Sequence, residues 1–251
     1  MVEMKTVFKN QICFRATGRY ALFTDPVSRV GGEKSTLPIP TYQALKGLTE
    51  SCYWKPSIIW YIDQVRIMKP IRTESKGVRP LRYDSPANDL AFYCYLADVE
   101  YVVKAHFEFN RNRPELQNDW NENKHYFIAK RCIEKGGRRD PFLGTRECQA
   151  YIEPAAFTEG TGYYDRMGTI EFGFQYHSMC YPDENGRGQL TAKFWYPKME
   201  NGVVTFLRPE ECPKERYLYR MQQKGFQKGV NFSGTEEPEL LSGYEIGGAV
   251  Q

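Results

Sequence analysis

The chain has 251 residues, 41% of them hydrophobic, with a net charge of +3. That is enough apolar material for one large or two small packed domains, so a globular fold is expected. No apolar run approaches the length needed to span a bilayer, and the opening MVEMKTVFKN lacks the apolar segment of a signal peptide, which makes the cytoplasm the expected location and a membrane partner unexpected.

Seven cysteines, odd in number and scattered with no CxxC pair, read as reduced and mostly buried thiols, not as a zinc site. The net charge hides two basic stretches. Between Arg66 and Arg82 six cations (Arg66, Lys69, Arg72, Lys76, Arg79, Arg82) face Glu74 alone, and between Lys124 and Arg146 seven face Glu134 and Asp140. Local basic surfaces attract phosphate backbones, and the eighteen tyrosines supply rings on which unpaired bases could stack. The alternative for both features is ordinary: solvated faces and core rings.

In chain order, residues 7–20 favour a first strand, closed by the turn signal Thr24-Asp25-Pro26. RVGGEK (29–34) reads as a polar glycine loop. Thr41 can cap a helix through Cys52, with Leu45, Leu48 and Cys52 on one side, ending before Pro56; Tyr53 lies at its carboxyl end. Residues 57–62 and 64–68 are strand material with a break near Asp63, and 69–88 reads as a basic loop. Strict alternation over 95–109 predicts a long antiparallel strand, with His106 on its polar face as a solvated or cross-strand residue.

Asn121 can cap a second helix whose inward positions are Phe127, Ile128 and Cys132, or Tyr126 and Ala129 with Ile133; Gly136-Gly137 stops it. Lys124 and His125 then occupy the first turn. A cation there opposes the helix dipole, whereas a bound anion is favoured, so the pair suits a phosphate better than it suits stability. The alternative is a solvated lysine beside a half-buried histidine. A strand over 147–153 completes the order β-α-β-β-α-β, that of a ferredoxin-like domain and of the RNA-recognition module.

From Thr158 short β segments alternate with turns: 170–176, Asp183-Glu184-Asn185-Gly186, 189–196, Glu200-Asn201-Gly202 and 203–207. The expected fold is thus α+β: a ferredoxin-like domain over residues 1–155, a smaller antiparallel β-sheet domain over 156–223, and a loosely held tail over 224–251.

Six separated pieces occur here in one order: YALFTDPVSRVGGEK, PTYQALKGLTESCYWKP, MKPIRTESKGVRP, VKAHFEFNRNRPEL, NKHYFIAKRC and GGRRDPFLGTRECQAYI. Together they resemble the subtype I-C CRISPR-associated endoribonuclease, the d-subgroup of the Cas-five family in the RAMP superfamily, over about residues 15–155 with weaker hairpin resemblance to Pro213.

The resemblance implies a protein that binds the CRISPR repeat hairpin, cuts the transcript at the base of the stem without a metal, and stays on the crRNA 5′ handle with the other subunits of the type I-C interference complex. Contact with target duplex DNA is left open. It further implies a catalytic trio: Tyr53 in ESCYWKP, with Lys124 and His125 in ENKHY. No cofactor is implied.

The chemistry is coherent, because RNA carries its own nucleophile in the 2′-hydroxyl. A histidine suits acid or base work near neutral pH, a lysine stabilises charge growing on phosphorus, and a tyrosine can orient the 2′-hydroxyl or act as base. Arg29, Lys34, Arg111, Arg113, Arg138 and Arg139 are candidate phosphate contacts, and the Gly136-Gly137 turn could let the backbone approach RNA. The rival reading is a non-catalytic subunit that only clamps the handle. A metal-dependent nuclease needs clustered carboxylates, and Asp119 and Glu122 are too few for that.

Overall fold

The computed structural model describes residues 10–26, 32–82, 88–223 and 225. Strand β1 (Gln11–Ala21) buries alternate residues, Ile12, Phe14 and Ala16 among them, as a sheet covered on one face requires. Helix α1 (Tyr42–Cys52) begins where the Thr41 side chain accepts a bond from the Ala44 amide, and leads to β2 (Ile58–Ile67). A hairpin strand β3 (Thr73–Val78) and the long β4 (Ala91–Phe109) follow, then α2 (Glu122–Glu134) and β5 (Tyr151–Pro154).

Strands β5-β1-β4-β2 lie side by side, all antiparallel. This is the ferredoxin-like arrangement that the element order implies. Helix α1 packs on β2, and α2 on β1 and β5. The core between them holds Phe14, Leu45, Leu48, Trp60, Val103 and Phe107, each fully or almost fully buried.

Several local expectations are corrected. The break near Asp63 is a bulge within one strand: β2 runs on, and its register against β4 shifts between Ile62 and Gln64. Residues 73–78 are not loop. TESKGV has no apolar alternation, but β4 begins four residues before the expected start and offers its edge, so Val78 pairs with Ala91 and Thr73 with Leu96.

The first basic stretch is dispersed by folding. Lys69 and Arg72 reach Asp98, Lys76 sits 3.3 Å from the centre of the Tyr20 ring, and Arg66 is buried.

Beyond β5 the short segments divide between two sheets. Strands β6 (Thr169–Glu171), β9 (Lys198–Glu200) and β10 (Val203–Thr205) extend the large sheet past β2, in the order β2-β10-β9-β6. Strands β7 (Gln175–Cys180), β8 (Gln189–Trp195) and β11 (Lys214–Arg220) form the small antiparallel sheet.

Segment 170–176 therefore spans pieces of two strands, and residues 182–185 form a short helical turn closed by Gly186. Strand β11 was not expected: every residue of KERYLYR is exposed, so its sequence shows no buried face. The expected tail lies outside the described residues except for Gly225. No helix among the described residues is long and apolar enough to cross a membrane.

His177 on β7 is fully buried, stacked on Tyr42 at 4.4 Å between ring centres, with its ring nitrogens 2.8 Å from the Ser178 hydroxyl and 3.1 Å from the Leu207 carbonyl. Burial pushes its pKa down to about 3. Between that value and the ordinary histidine value of about 6.5, the unfolded chain binds a proton that the folded chain does not, so stability falls as pH drops through this window. Denaturant unfolding at pH 6.5 and pH 5 should show a loss of about 2 kcal/mol from this residue. His177→Gln should be weaker at pH 6.5 but lose less on acidification; equal losses in the two proteins would remove His177 as the cause.

Candidate active site

Tyr53 closes α1. The chain ahead of Pro56 cannot stay helical with ease, and Tyr53 turns extended (φ −158°, ψ 128°) while its amide still bonds the Thr49 carbonyl. Its own carbonyl accepts the Trp60 indole N–H at 2.7 Å, which fixes this corner to the start of β2.

Asn121 caps α2 by accepting from the Lys124 amide at 3.1 Å, and the helix buries His125, Ala129, Cys132 and Ile133. The buried face joins Ala129 and Ile133 of one expected register with Cys132 of the other, with His125 one turn before Ala129. Phe127 is 44% exposed.

The phenol of Tyr53 and Nδ1 of His125 are 2.8 Å apart, although 72 positions separate them in sequence. Nε2 of His125 lies 2.8 Å from the Asp119 carbonyl. A carbonyl only accepts, so Nε2 carries the proton; Nδ1 is then the acceptor and the Tyr53 hydroxyl donates to it. Burial holds the His125 pKa below the ordinary value, consistent with a neutral ring. Phe107 and Phe109 stand edge-on to the imidazole, and Trp120 stacks on Phe109.

Asp119, five residues before Lys124, is the hub. Oδ1 accepts the Lys124 ammonium at 2.7 Å, and Oδ2 accepts the Ser57 hydroxyl at 2.5 Å. This carboxylate compensates the cation that the first turn of α2 would otherwise disfavour. Asp119 and Ser57 are the members of the group that sequence reasoning missed as such. Their pairing spans 62 positions, and nothing in either neighbourhood marks it. Tyr53 and His125 are 1% and 0% exposed, whereas the Lys124 side chain is 33% exposed, so in this conformation Lys124 is the member of the trio that meets solvent.

Residues 11–207 match the family described as CRISPR-associated protein (Cas_Cas5), in its Cas5d form. The chain belongs to the Cas5d family. This Cas5d chain is 26% identical over 239 residues to the CRISPR pre-crRNA endoribonuclease Cas5d of Thermus thermophilus, spanning 85% of this chain and 96% of that one. It is also 26% identical over 225 residues to the protein of the same name from Mannheimia succiniciproducens, spanning 78% and 94%. A crystal structure titled CRISPR-associated protein superposes with a TM-score of 0.71 at 34% identity, covering 83% of this chain and 97% of that one. A functionally uncharacterized protein from Streptococcus mutans does so with 0.70 at 37% identity and the same coverage.

The Cas5d fold sorts the candidate phosphate contacts. Arg138 and Arg139 are exposed, and their backbone amides both bond the Ser51 carbonyl, at 3.3 and 3.0 Å, which ties the basic turn to the end of α1 beside Tyr53. Gly136 and Gly137 close α2 with the paired bonds Gly136 N to Ile133 O and Gly137 N to Cys132 O, both at positive φ.

Arg111 is exposed, and Lys34 lies over the Tyr93 ring at 5.0 Å. Arg113, just before the 3-10 turn Pro114–Asp119, departs from the expectation of a surface phosphate contact: it is buried and ion-paired with Asp183 and Glu115. Arg29 lies outside the described residues.

Proposed function

We propose that this Cas5d protein is an endoribonuclease that binds the CRISPR repeat hairpin, cuts pre-crRNA at the base of the stem and leaves a 2′,3′-cyclic phosphate. It then remains on the crRNA 5′ handle as a subunit of the type I-C interference complex. The observation that carries the reading is the directed bond from the Tyr53 hydroxyl to Nδ1 of His125 beside the Lys124 ammonium. The names of the two relatives in Thermus and Mannheimia support the same activity.

In this mechanism the Tyr53 oxygen takes the proton of the 2′-hydroxyl as its own proton passes to Nδ1 of His125. An unperturbed phenol is too weak an acid to ionise near pH 7, and the imidazole behind it removes that obstacle by accepting the proton in the same step. The 2′-oxygen bonds phosphorus and the bond to the 5′-oxygen breaks; that oxygen takes a proton from water, and the imidazolium returns one to water, which restores the neutral ring. Lys124 offsets the charge that grows on the non-bridging oxygens, and the free amides at the start of α2 add to it. With both rings buried, this mechanism requires that RNA binding uncover the phenol.

The same burial supports a second reading, in which Tyr53, His125 and Asp119 are a structural strut between α1 and α2 and the protein only holds the handle. Incubation with the cognate repeat RNA in EDTA separates them: the first predicts one cut with a 2′,3′-cyclic phosphate end, and intact RNA that is nonetheless bound selects the second.

A further inference from the structure

A groove of about 270 Å³ lies apart from the Tyr53–His125 pair. It is lined by Gly47, Leu48 and Ser51 of α1, Phe142 and Gly144 of the segment before β5, and Tyr176 of β7. Gly47 stands in the middle of α1, where glycine costs about 1 kcal/mol relative to alanine. The described residues give no reason for it: an added Cβ would meet no heavy atom within 4 Å, and the residue is exposed. A side chain absent from a helix face without internal need leaves the groove open to something outside the chain.

Phe142, at the groove, is 42% exposed. Its segment is a firm platform. Leu22 and Leu143 bond at 3.0 Å, and Gly144, at φ +88°, lets the backbone close on Leu22 so tightly that an added Cβ would stand 2.1 Å from the Leu22 oxygen. Ser51, also at the groove, is the residue whose carbonyl holds the amides of Arg138 and Arg139, so the backbone of two exposed arginines is fixed at its margin. An aromatic face with adjoining cations is the arrangement that takes an unpaired base and its phosphates. The volume falls below the roughly 300–1,000 Å³ of sites for drug-sized ligands, which suits a single ring system.

We propose that this groove receives one unpaired nucleobase of the bound RNA, stacked on Phe142, with the flanking phosphates against Arg138 and Arg139. The inference rests on the reading of the chain as a repeat-RNA-binding protein.

The test measures affinity for the cognate repeat RNA by fluorescence anisotropy in the series Gly47→Ala, Gly47→Met and Gly47→Phe and in Phe142→Ala, with melting temperatures alongside. Affinity should fall stepwise with the volume at position 47, reaching about tenfold or more, and Phe142→Ala should fall by a similar factor, since stacking one base contributes roughly 1–3 kcal/mol. The melting temperature of Gly47→Ala should not fall. In parallel, 2-aminopurine placed in turn at each unpaired position should be quenched at one position by the wild-type protein, and the quenching should be relieved by Phe142→Ala. Constant affinity along a folded Gly47 series, or no quenched position, overturns the groove. Failure of the wild-type protein to bind the RNA overturns the underlying reading and the groove with it.

Discussion

Replacing His125 with alanine should lower the single-turnover rate of repeat cleavage by about 10²–10⁴-fold, the range a general acid or base contributes, while affinity for the repeat changes less than tenfold. The imidazole touches no solvent, so its loss removes a proton acceptor from the phenol without removing a contact to RNA. It also removes a hydrogen-bond partner from the Tyr53 hydroxyl and from the Asp119 carbonyl, so a destabilisation of about 1–3 kcal/mol accompanies it. Tyr53→Phe keeps the ring and deletes only the donor. If the two groups act as one relay, the double variant is no slower than the worse single one. Two independent losses that multiply would sink the relay, and an unchanged cutting rate in a folded His125→Ala protein would leave only the handle-binding reading.

Arg66→Ala should cost about 3 kcal/mol of stability, read as a lower midpoint in denaturant at unchanged slope. Arg66 is 8% exposed and holds Asp165 with two bonds, Nε to Oδ1 at 3.2 Å and Nη2 to Oδ2 at 2.6 Å. Its guanidinium also donates to the carbonyls of Phe157, Glu159 and Gly160. Residues 155–168, between β5 and β6, have no regular ladder of their own, so one side chain from β2 satisfies much of their backbone. Truncation strands three acceptors and a carboxylate. Arg66→Lys should recover little, because a point charge cannot reproduce the fork. A loss below about 1 kcal/mol for Arg66→Ala would show that water replaces these bonds readily.

Arg66 also shows where reading the sequence stops. In the string it is the first of six cations in a basic stretch, with the look of a phosphate surface. Folding buries it and pairs Lys69 and Arg72 with Asp98, so that stretch is largely compensated. Arg113 went the same way, into Asp183 across 70 positions. Charge clusters in sequence count residues, while the field at a surface depends on which partners arrive from elsewhere, and no local pattern encodes that.

What the sequence by itself determined is what short-range free energies decide. Thr41 and Asn121 mark helix starts because their side chains satisfy amides three residues on, Gly136-Gly137 marks an end because it can adopt positive φ, and alternation over β4 sorts residues onto two faces. These elements in their order were enough to imply the antiparallel ferredoxin-like arrangement. The tertiary structure alone decided the rest: that β6, β9 and β10 join the large sheet, that the polar stretches 73–78 and 214–220 pair as strands, and that Asp119 binds Lys124 and Ser57 beneath a buried Tyr53–His125 bond. Strand partners and buried polar bonds are chosen by how residues tens of positions apart fill space and satisfy one another once water is excluded, and that choice is settled only when the whole core closes.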